Sequence, residues 1–190
     1  MNLIARIENW IANVLIQEQH SELEQEKIKF GIKIFFNELW KLVIVYMIAF
    51  LLDCLFVTFI THITFFALRQ VGLGFHFQNS VICLLSSVVA LPLSVYIIDQ
   101  IQVNSPIVFP LLFLCTIFLC VLAPVGTKKR PIFNNNHRRY LKNKMYIRLL
   151  LIWIIMIFVD AKIQKFMLYG ILLQTVAVIT QKIVGGNENG

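Results

Sequence analysis

A histidine and a cysteine lie near each other where a short polar stretch of the chain runs into a long apolar one. His76 and Cys83 are seven positions apart. A histidine that takes the proton from a thiol produces a thiolate, the form of cysteine that attacks a carbonyl carbon. Along one straight helix, seven residues rise about 10 Å, which is too far for a hydrogen bond between the two side chains. The chain must therefore fold back between them if they act together.

The residues around this pair supply a means of folding back. Gly72 and Gly74 free the backbone just before the histidine. Asn79 or Ser80 can cap a helix that begins immediately afterwards, and with Ser80 as the cap, Cys83 falls in the first turn. There the positive end of the helix dipole favours thiolate over thiol. The pattern indicates a nucleophile and its base, and the alternative is a packing cysteine beside an interfacial histidine.

Three further polar side chains flank the pair, and each has two open roles. Arg69 can bind a substrate carboxylate or an oxyanion, or it can anchor a helix end at the membrane interface. Ser86 and Ser87 follow Cys83 by about one turn, and they can orient the site or satisfy a backbone carbonyl within the helix.

The elements that position these residues are predicted to be membrane helices. Of the 190 residues, 58% are hydrophobic and 14% are charged, which is more apolar than an ordinary soluble domain. Several uncharged runs approach the roughly 20 residues that cross a bilayer as a helix. The sequence predicts an all-α polytopic membrane bundle of about six helical passes, folded as a single domain over residues 1–190.

Hydrophobic spacing predicts the order of the helices. Residues 1–20 have the pattern of an amphipathic helix on the membrane surface, within an N-terminal interfacial region 1–41. Membrane-crossing segments are expected within 42–68, 80–98, 106–125, 149–159 and 166–184. One crossing by 42–68 would put the lysines of the N-terminal region outside, so either 28–40 also crosses or 42–68 turns back on itself.

The positive charge is concentrated in one connection. Residues 126–148 hold 8 of the 17 lysines and arginines and no acidic residue. The positive-inside rule makes this a basic cytoplasmic loop, and counting crossings puts the catalytic loop and helix start, 69–83, on the same side. The connection 99–105 is then outside. This clustering explains the net charge of +7 without nucleic-acid binding.

The remaining cysteines suggest no second chemistry. Cys54, Cys115 and Cys120 are scattered, and sulfur in an apolar run packs as a small hydrophobe. Their spacing fits neither a disulfide framework nor a zinc site. The chain also lacks a phosphate-binding G-x(4)-G-K-[ST] loop, so we expect no metal and no cofactor.

The whole chain resembles the AgrB family, the accessory gene regulator endopeptidases of Gram-positive quorum sensing. The resemblance is carried by the arginine, two glycines, histidine and cysteine between Arg69 and Cys83, and by the later A-P-x-x-T-K-K-R-P-I run from Ala123 to Ile132. Length and order of segments also agree. Phe77 departs from the family, where alanine is common after the histidine, so substrate fit there is expected to differ.

The resemblance implies a membrane thiol protease, a hydrolase of autoinducing peptide processing and virulence regulation. It implies that Cys83 attacks an AgrD-type precursor, that His76 is the general base, and that the resulting thioester is passed on to close a thiolactone ring. It also implies a homodimer in the cell membrane with a cytoplasmic active site. Lys128, Lys129 and Arg130 can bind the acidic tail of such precursors or simply set topology.

Two rival readings remain open at this point. A small non-enzymatic membrane peptide transporter or exporter is suggested by Asp53, which would be costly inside a span and could pair with His62. The chain shows no internal repeat of the kind that alternating access uses. A passive membrane scaffold would leave the residues between Gly72 and Cys83 without explanation.

Overall fold

The structure, a computed structural model, describes residues 3–16, 20–75, 77, 79–101, 105–127 and 131–186. Its helices are α1 Leu3–Leu15, α2 Glu22–Leu51, α3 Leu55–Gly72, α4 Ser80–Val88, a π-helical turn Val89–Leu93, α5 Ser94–Gln100, α6 Ser105–Leu122, α7 Asn135–Phe158 and α8 Ala161–Gly186. Leu73 and Val125 form an isolated β-bridge, and the described residues contain no β-strand. The all-α prediction is therefore confirmed.

The helices are those of a multi-pass membrane protein. Four are long and apolar enough to cross a bilayer: α2, α3, the continuous run from α4 to α5, and α8. The apolar part of α6, Pro106–Leu122, is shorter. The second half of α7 is apolar as well, and the predicted number of about six passes stays a prediction. The helical membrane bundle is confirmed.

The chain divides into two compact units, one up to Met47 and one from Ile48. In the first unit, α1 exposes Trp10 and Val14, as an amphipathic helix on a membrane surface would. Ser21 starts α2 through a capping box, since Ser21 N–H donates to Glu24 Oε2 at 2.8 Å and Ser21 Oγ accepts from Glu24 N at 3.4 Å. The single domain over 1–190 stays a prediction.

The apolar run 42–68 is broken between α2 and α3. Cys54 N–H donates to Ala49 O at 3.0 Å and Asp53 N–H to Phe50 O at 3.1 Å, the pattern of a Schellman helix end. Asp53 occupies its left-handed position with φ 52°. The run is therefore two helices. Asp53, expected within a span, lies exposed in the break between the two helices.

The core of the second unit is built around α3. This helix packs against α7 and α8, and α6 packs against α8. Thr61 Oγ1 donates to Phe166 O at 3.2 Å, and a Cβ at Gly170 would lie 2.6 Å from Thr61 O, so α3 and α8 approach very closely there. The core contains Leu68, Val71, Leu112, Leu119, Met145, Leu149, Met156, Ile171 and Val178.

The chain reverses direction between α3 and α4. Val57 at the start of α3 packs with Val95 of α5, so the helical run from α4 to α5 returns alongside α3. A π turn containing Pro92 joins α4 to α5, and Tyr169 Oη donates to the Ala90 carbonyl within this turn at 2.9 Å. α4 has no buried residue, so the helix that carries Cys83 packs little against the rest of the unit.

The connections of this unit fall into two groups. Asp53, Asp99, Asp160 and Lys162 line one cavity, and Lys162 Nζ lies 3.1 Å from Asp99 Oδ1. We call this the distal end. At the other end, the residues after α3 pair with the residues after α6 and with α8. This grouping agrees with the predicted alternation of loops across the membrane.

Part of the expected basic loop 126–148 is helical. α7 begins at Asn135, because the Asn134 side chain accepts a hydrogen bond from His137 N–H at 2.7 Å and caps it. Leu141, Met145 and Leu149 then bury one stripe of the helix against the core. Because polar residues lie between these three positions, the hydropathy of the segment alone did not predict this buried stripe.

Candidate active site

The segment Leu73–Phe75, directly after α3, is held in place by main-chain hydrogen bonds. Leu73 N–H donates to Arg69 O at 3.0 Å, Gly74 N–H to Val125 O at 3.2 Å, and Phe75 N–H to Ala177 O at 2.9 Å. Val125 N–H in turn donates to Gly72 O at 3.1 Å. We call Leu73–Phe75 the anchored segment, because partners on three elements fix its backbone.

The two predicted glycines are required for different reasons. Gly74 has φ 104°, a conformation that favours glycine, and a Cβ there would lie 3.0 Å from Ala177 O. Gly72 ends α3, and its Cβ would lie 2.6 Å from Met145 Cε and 2.7 Å from Gln174 Nε2. Gly74 therefore supplies the backbone freedom that we expected of both, whereas Gly72 supplies space.

Arg69 acts on the anchored segment as well. Its Nη2 donates to Phe75 O at 2.6 Å, and its guanidinium lies 5.5 Å from the centre of the Phe65 ring. The side chain is half-buried and bridges the last turn of α3 to the residue before His76. These contacts fit a structural role, and the role in binding substrate or oxyanion stays a prediction.

The start of α4 positions Cys83. Asn79 is the cap, and its Oδ1 accepts from Val81 N–H at 2.8 Å and from Ile82 N–H at 3.3 Å. Ser80 is thus the first helical residue and not the cap, because the Asn79 side chain reaches both free amides. Cys83 N–H donates to Asn79 O at 3.0 Å. The half-buried thiol therefore lies at the N-terminal end of a helix.

Ser86 and Ser87 bond to the backbone of α4. Ser86 Oγ donates to Ile82 O at 2.8 Å and to Cys83 O at 3.0 Å, and Ser87 Oγ donates to Cys83 O at 2.8 Å. Of the two roles that the sequence left open, these contacts are those of carbonyl satisfaction within a helix.

The remaining predicted site residues lie outside the described part of the chain. They are His76, Lys128, Lys129 and Arg130. The distance between His76 and Cys83 therefore stays a prediction. Phe77, the departure from the family pattern, is exposed, and its ring meets that of Phe75 edge-on at 5.0 Å.

Two contacts to this end of α3 were missed by reasoning from sequence. Gln174 of α8 is fully buried, and its Nε2 donates to Leu73 O at 2.9 Å. Arg148 of α7 donates through Nη1 to Ala67 O. For Gln174, the only feature of the sequence that could have indicated this contact is an amide within an otherwise apolar run. For Arg148 there is no such feature, because it is one of many cations in its segment.

The other cysteines belong to other parts of the chain: Cys54 lies between α2 and α3, and Cys115 and Cys120 lie in α6. Cys54 and Cys115 are buried and Cys120 is half-buried, and none of the four cysteines forms a disulfide. Cys54 Sγ contacts Thr58 Oγ1 at 3.6 Å and the Pro92 carbonyl at 3.7 Å. These contacts agree with packing roles.

Fold and site together define a polytopic helical membrane protein. Its half-buried thiol lies at a helix start that follows the anchored segment in the chain. The family model of accessory gene regulator B matches residues 8–178. The chain belongs to the accessory gene regulator B family.

Relatives carrying the same name cover nearly the whole chain. The accessory gene regulator protein B of Staphylococcus saprophyticus is 30% identical over 169 residues, 89% of each chain. That of Staphylococcus intermedius is 29% identical, covering 91% of this chain and 94% of its own. That of Staphylococcus carnosus is 24% identical, covering 88% and 87%. No solved structure gives a significant match.

Proposed function

We propose that this chain is a membrane cysteine endopeptidase that cleaves the C-terminal segment from an AgrD-type precursor and promotes thiolactone closure in quorum sensing. Membership of the accessory gene regulator B family supports the regulatory context. Cys83 is the nucleophile and His76 the general base in this proposal.

The observation that carries the proposal is the position of Cys83. Its amide makes the first hydrogen bond of α4, so the thiol lies in the first turn, where the positive end of the helix dipole favours a negative charge. The thiol is half-buried, which leaves it open to a peptide and partly withdrawn from water. A packing cysteine needs none of these features.

The second support is the anchored segment. Its last residue, Phe75, has its N–H bonded to Ala177 O and its carbonyl bonded to Arg69. The next residue in the chain is His76. A general base has to be held within about 3 Å of the proton that it takes, and a fixed backbone just before it reduces the entropy lost on reaching that position.

The proposed reaction consists of two acyl transfers. His76 takes the Cys83 proton, and the thiolate attacks the scissile carbonyl of the precursor. His76 then gives this proton to the leaving amine as the C–N bond breaks, and a thioester to Cys83 remains. A thiol of the precursor attacks this thioester, loses its proton, and the proton returns to the released Cys83. One thioester replaces another in this second transfer, so that step is nearly isoenergetic.

Charge supports a cytoplasmic site. The anchored segment pairs with Val125, which directly precedes the basic connection 126–148. Positive connections stay on the cytoplasmic side, so the site and the basic residues share that side in the proposal. Lys128, Lys129 and Arg130 would then attract an acidic precursor tail. The homodimer that the family resemblance implies is part of the same proposal.

Co-expression with an AgrD-type precursor tests the function. We expect the C-terminal cleavage product with the unchanged chain, and none with Cys83→Ala or His76→Ala. Cys120→Ala is the matched control, because Cys120 is also half-buried but lies in α6. Normal cleavage by the Cys83→Ala variant would exclude the proposed nucleophile. Asp53→Asn should leave cleavage unchanged, whereas a transporter that relied on this carboxylate would lose its activity.

A further inference from the structure

Gln174 is a buried polar residue that the proposed reaction does not use. It lies in α8, in the middle of a candidate membrane span, and its side chain is fully buried. An amide in such a place is costly unless it makes hydrogen bonds. Its Nε2 donates to Leu73 O at 2.9 Å, across 101 positions of sequence. The bond joins α8 to the anchored segment.

The conformation of Leu73 creates the need for this donor. Leu73 has φ 55°, which leucine rarely adopts, and it ends α3 by turning the chain away from the helical path. Its carbonyl therefore has no helical partner and is turned toward α8. A half-buried carbonyl without a donor would be unfavourable, and Gln174 supplies that donor.

The contacts also determine the orientation of the Gln174 amide. Among the described residues, Gln174 Oε1 is buried without a hydrogen-bond partner. A flipped amide would place this oxygen against Leu73 O, where two acceptors would repel each other. Gly72 leaves the space that Nε2 occupies, because a Cβ there would lie 2.7 Å from it. Gly72, the Gln174 amide and the Leu73 carbonyl therefore pack together, with no space for a side chain at position 72.

We infer that Gln174 is a positioning residue for His76. α8 holds the anchored segment at both ends, through Gln174 at Leu73 and through the Ala177 carbonyl at Phe75. His76 is the next residue in the chain. Without the Gln174 bond, Leu73 loses the partner that offsets its unfavourable backbone conformation, and the backbone that leads to His76 loses one of its supports. This inference rests on the proposed function.

Gln164 provides a matched control in the same helix. It is also buried, and its Nε2 donates to the carbonyls of Met156 and Val159 at 2.9 Å and 3.2 Å. Those carbonyls end α7 at the start of α8, away from the anchored segment. Gln164→Met therefore removes a comparable bond without touching the site.

The test measures alkylation of Cys83 by iodoacetamide at pH 6, read by peptide mass spectrometry, in the full-length protein in detergent. A histidine held beside the thiol keeps more of it as thiolate at this pH. We expect Gln174→Met to slow alkylation about tenfold, as His76→Ala does, because a cysteine without its cationic partner holds about a tenth of the thiolate. Gln164→Met should react at the original rate.

The outcomes separate the two proposals. If His76→Ala leaves alkylation unchanged, the histidine and cysteine are not paired and the proposed function fails. If His76→Ala slows it but Gln174→Met does not, only the positioning role is overturned. Equal slowing by Gln164→Met and Gln174→Met would also overturn it, since that result reports general loss of stability.

A second variant covers the case in which Gln174→Met does not fold. Gln174→Glu keeps the size of the side chain, but a carboxyl can donate to Leu73 O only when protonated. We expect its precursor cleavage to approach that of the unchanged chain at low pH and to fall further below it as pH rises. A constant ratio between the two across pH would contradict the inference.

Discussion

Replacing Gly74 with alanine tests the anchored segment most sharply. If the segment kept its conformation, a residue with a Cβ at φ 104° would cost about 1–3 kcal/mol. Contacts of 3.0 to 3.2 Å with backbone atoms of Ala177 and Val178, which cannot rotate away, would add about 1–3 kcal/mol. Gly74 and Phe75 can instead move away from α8, with Leu73 keeping its bond from Gln174, and lose their bonds to Val125 O and Ala177 O, at about 1 kcal/mol each.

Release of the segment is therefore the cheaper response. We expect Gly74→Ala to lower the free energy of unfolding by only about 2 kcal/mol, the two lost hydrogen bonds. Precursor cleavage should fall much more, by about 100-fold, because a base displaced by about 1 Å loses most of its effect. The protein would remain folded with a disabled site.

The assay compares thermal unfolding in detergent with precursor cleavage in membranes. Gly31→Ala is the control, since Gly31 lies inside α2 and a Cβ there has nothing within 4 Å. Alanine is the better helix former by up to about 1 kcal/mol, so this variant should be at least as stable and fully active. Cleavage by Gly74→Ala at the original rate would refute the role of the anchored segment.

Three further predictions concern packing, capping and topology. Gly170→Ala places a Cβ 2.6 Å from Thr61 O and should lower the unfolding temperature, at a cost of about 1–3 kcal/mol. Asn79→Ala and Asn134→Ala each remove a helix cap worth about 1 kcal/mol, but only Asn79→Ala should slow cleavage, since α4 alone carries Cys83. With native cysteines removed, a single cysteine at Asn104 should react with an impermeant reagent outside intact cells, whereas one at Asn135 should not.

The start of the site helix was predictable from sequence because capping is local. Asn79 and Ser80 were the candidates, and the choice between them depended on which side chain reached the free amides. The break before α3 was harder to predict. A Schellman end usually uses glycine, whereas Asp53 takes the left-handed position here. Hydropathy alone therefore allowed one crossing or two.

Contacts between distant segments could not be predicted from one sequence. The bond from Gln174 to Leu73 joins residues 101 positions apart, and nothing around Gln174 marks its partner. The sequence suggested that Gly72 gives the backbone conformational freedom. Its role is instead to leave space for the side chains of Met145 and Gln174, which contact it only in the folded bundle. Local rules indicated the candidate site residues, and tertiary packing determines how the described ones are held.

The measurement that tests the central claim most directly is capture of the acyl-enzyme. The protein is mixed with an AgrD-type precursor, quenched in acid, digested and analysed by mass spectrometry. We expect Cys83 to carry the N-terminal part of the precursor as a thioester that hydroxylamine removes, and Cys120 to carry nothing. Precursor cleavage with the acyl group on another residue, or undiminished cleavage by Cys83→Ala, would contradict the account.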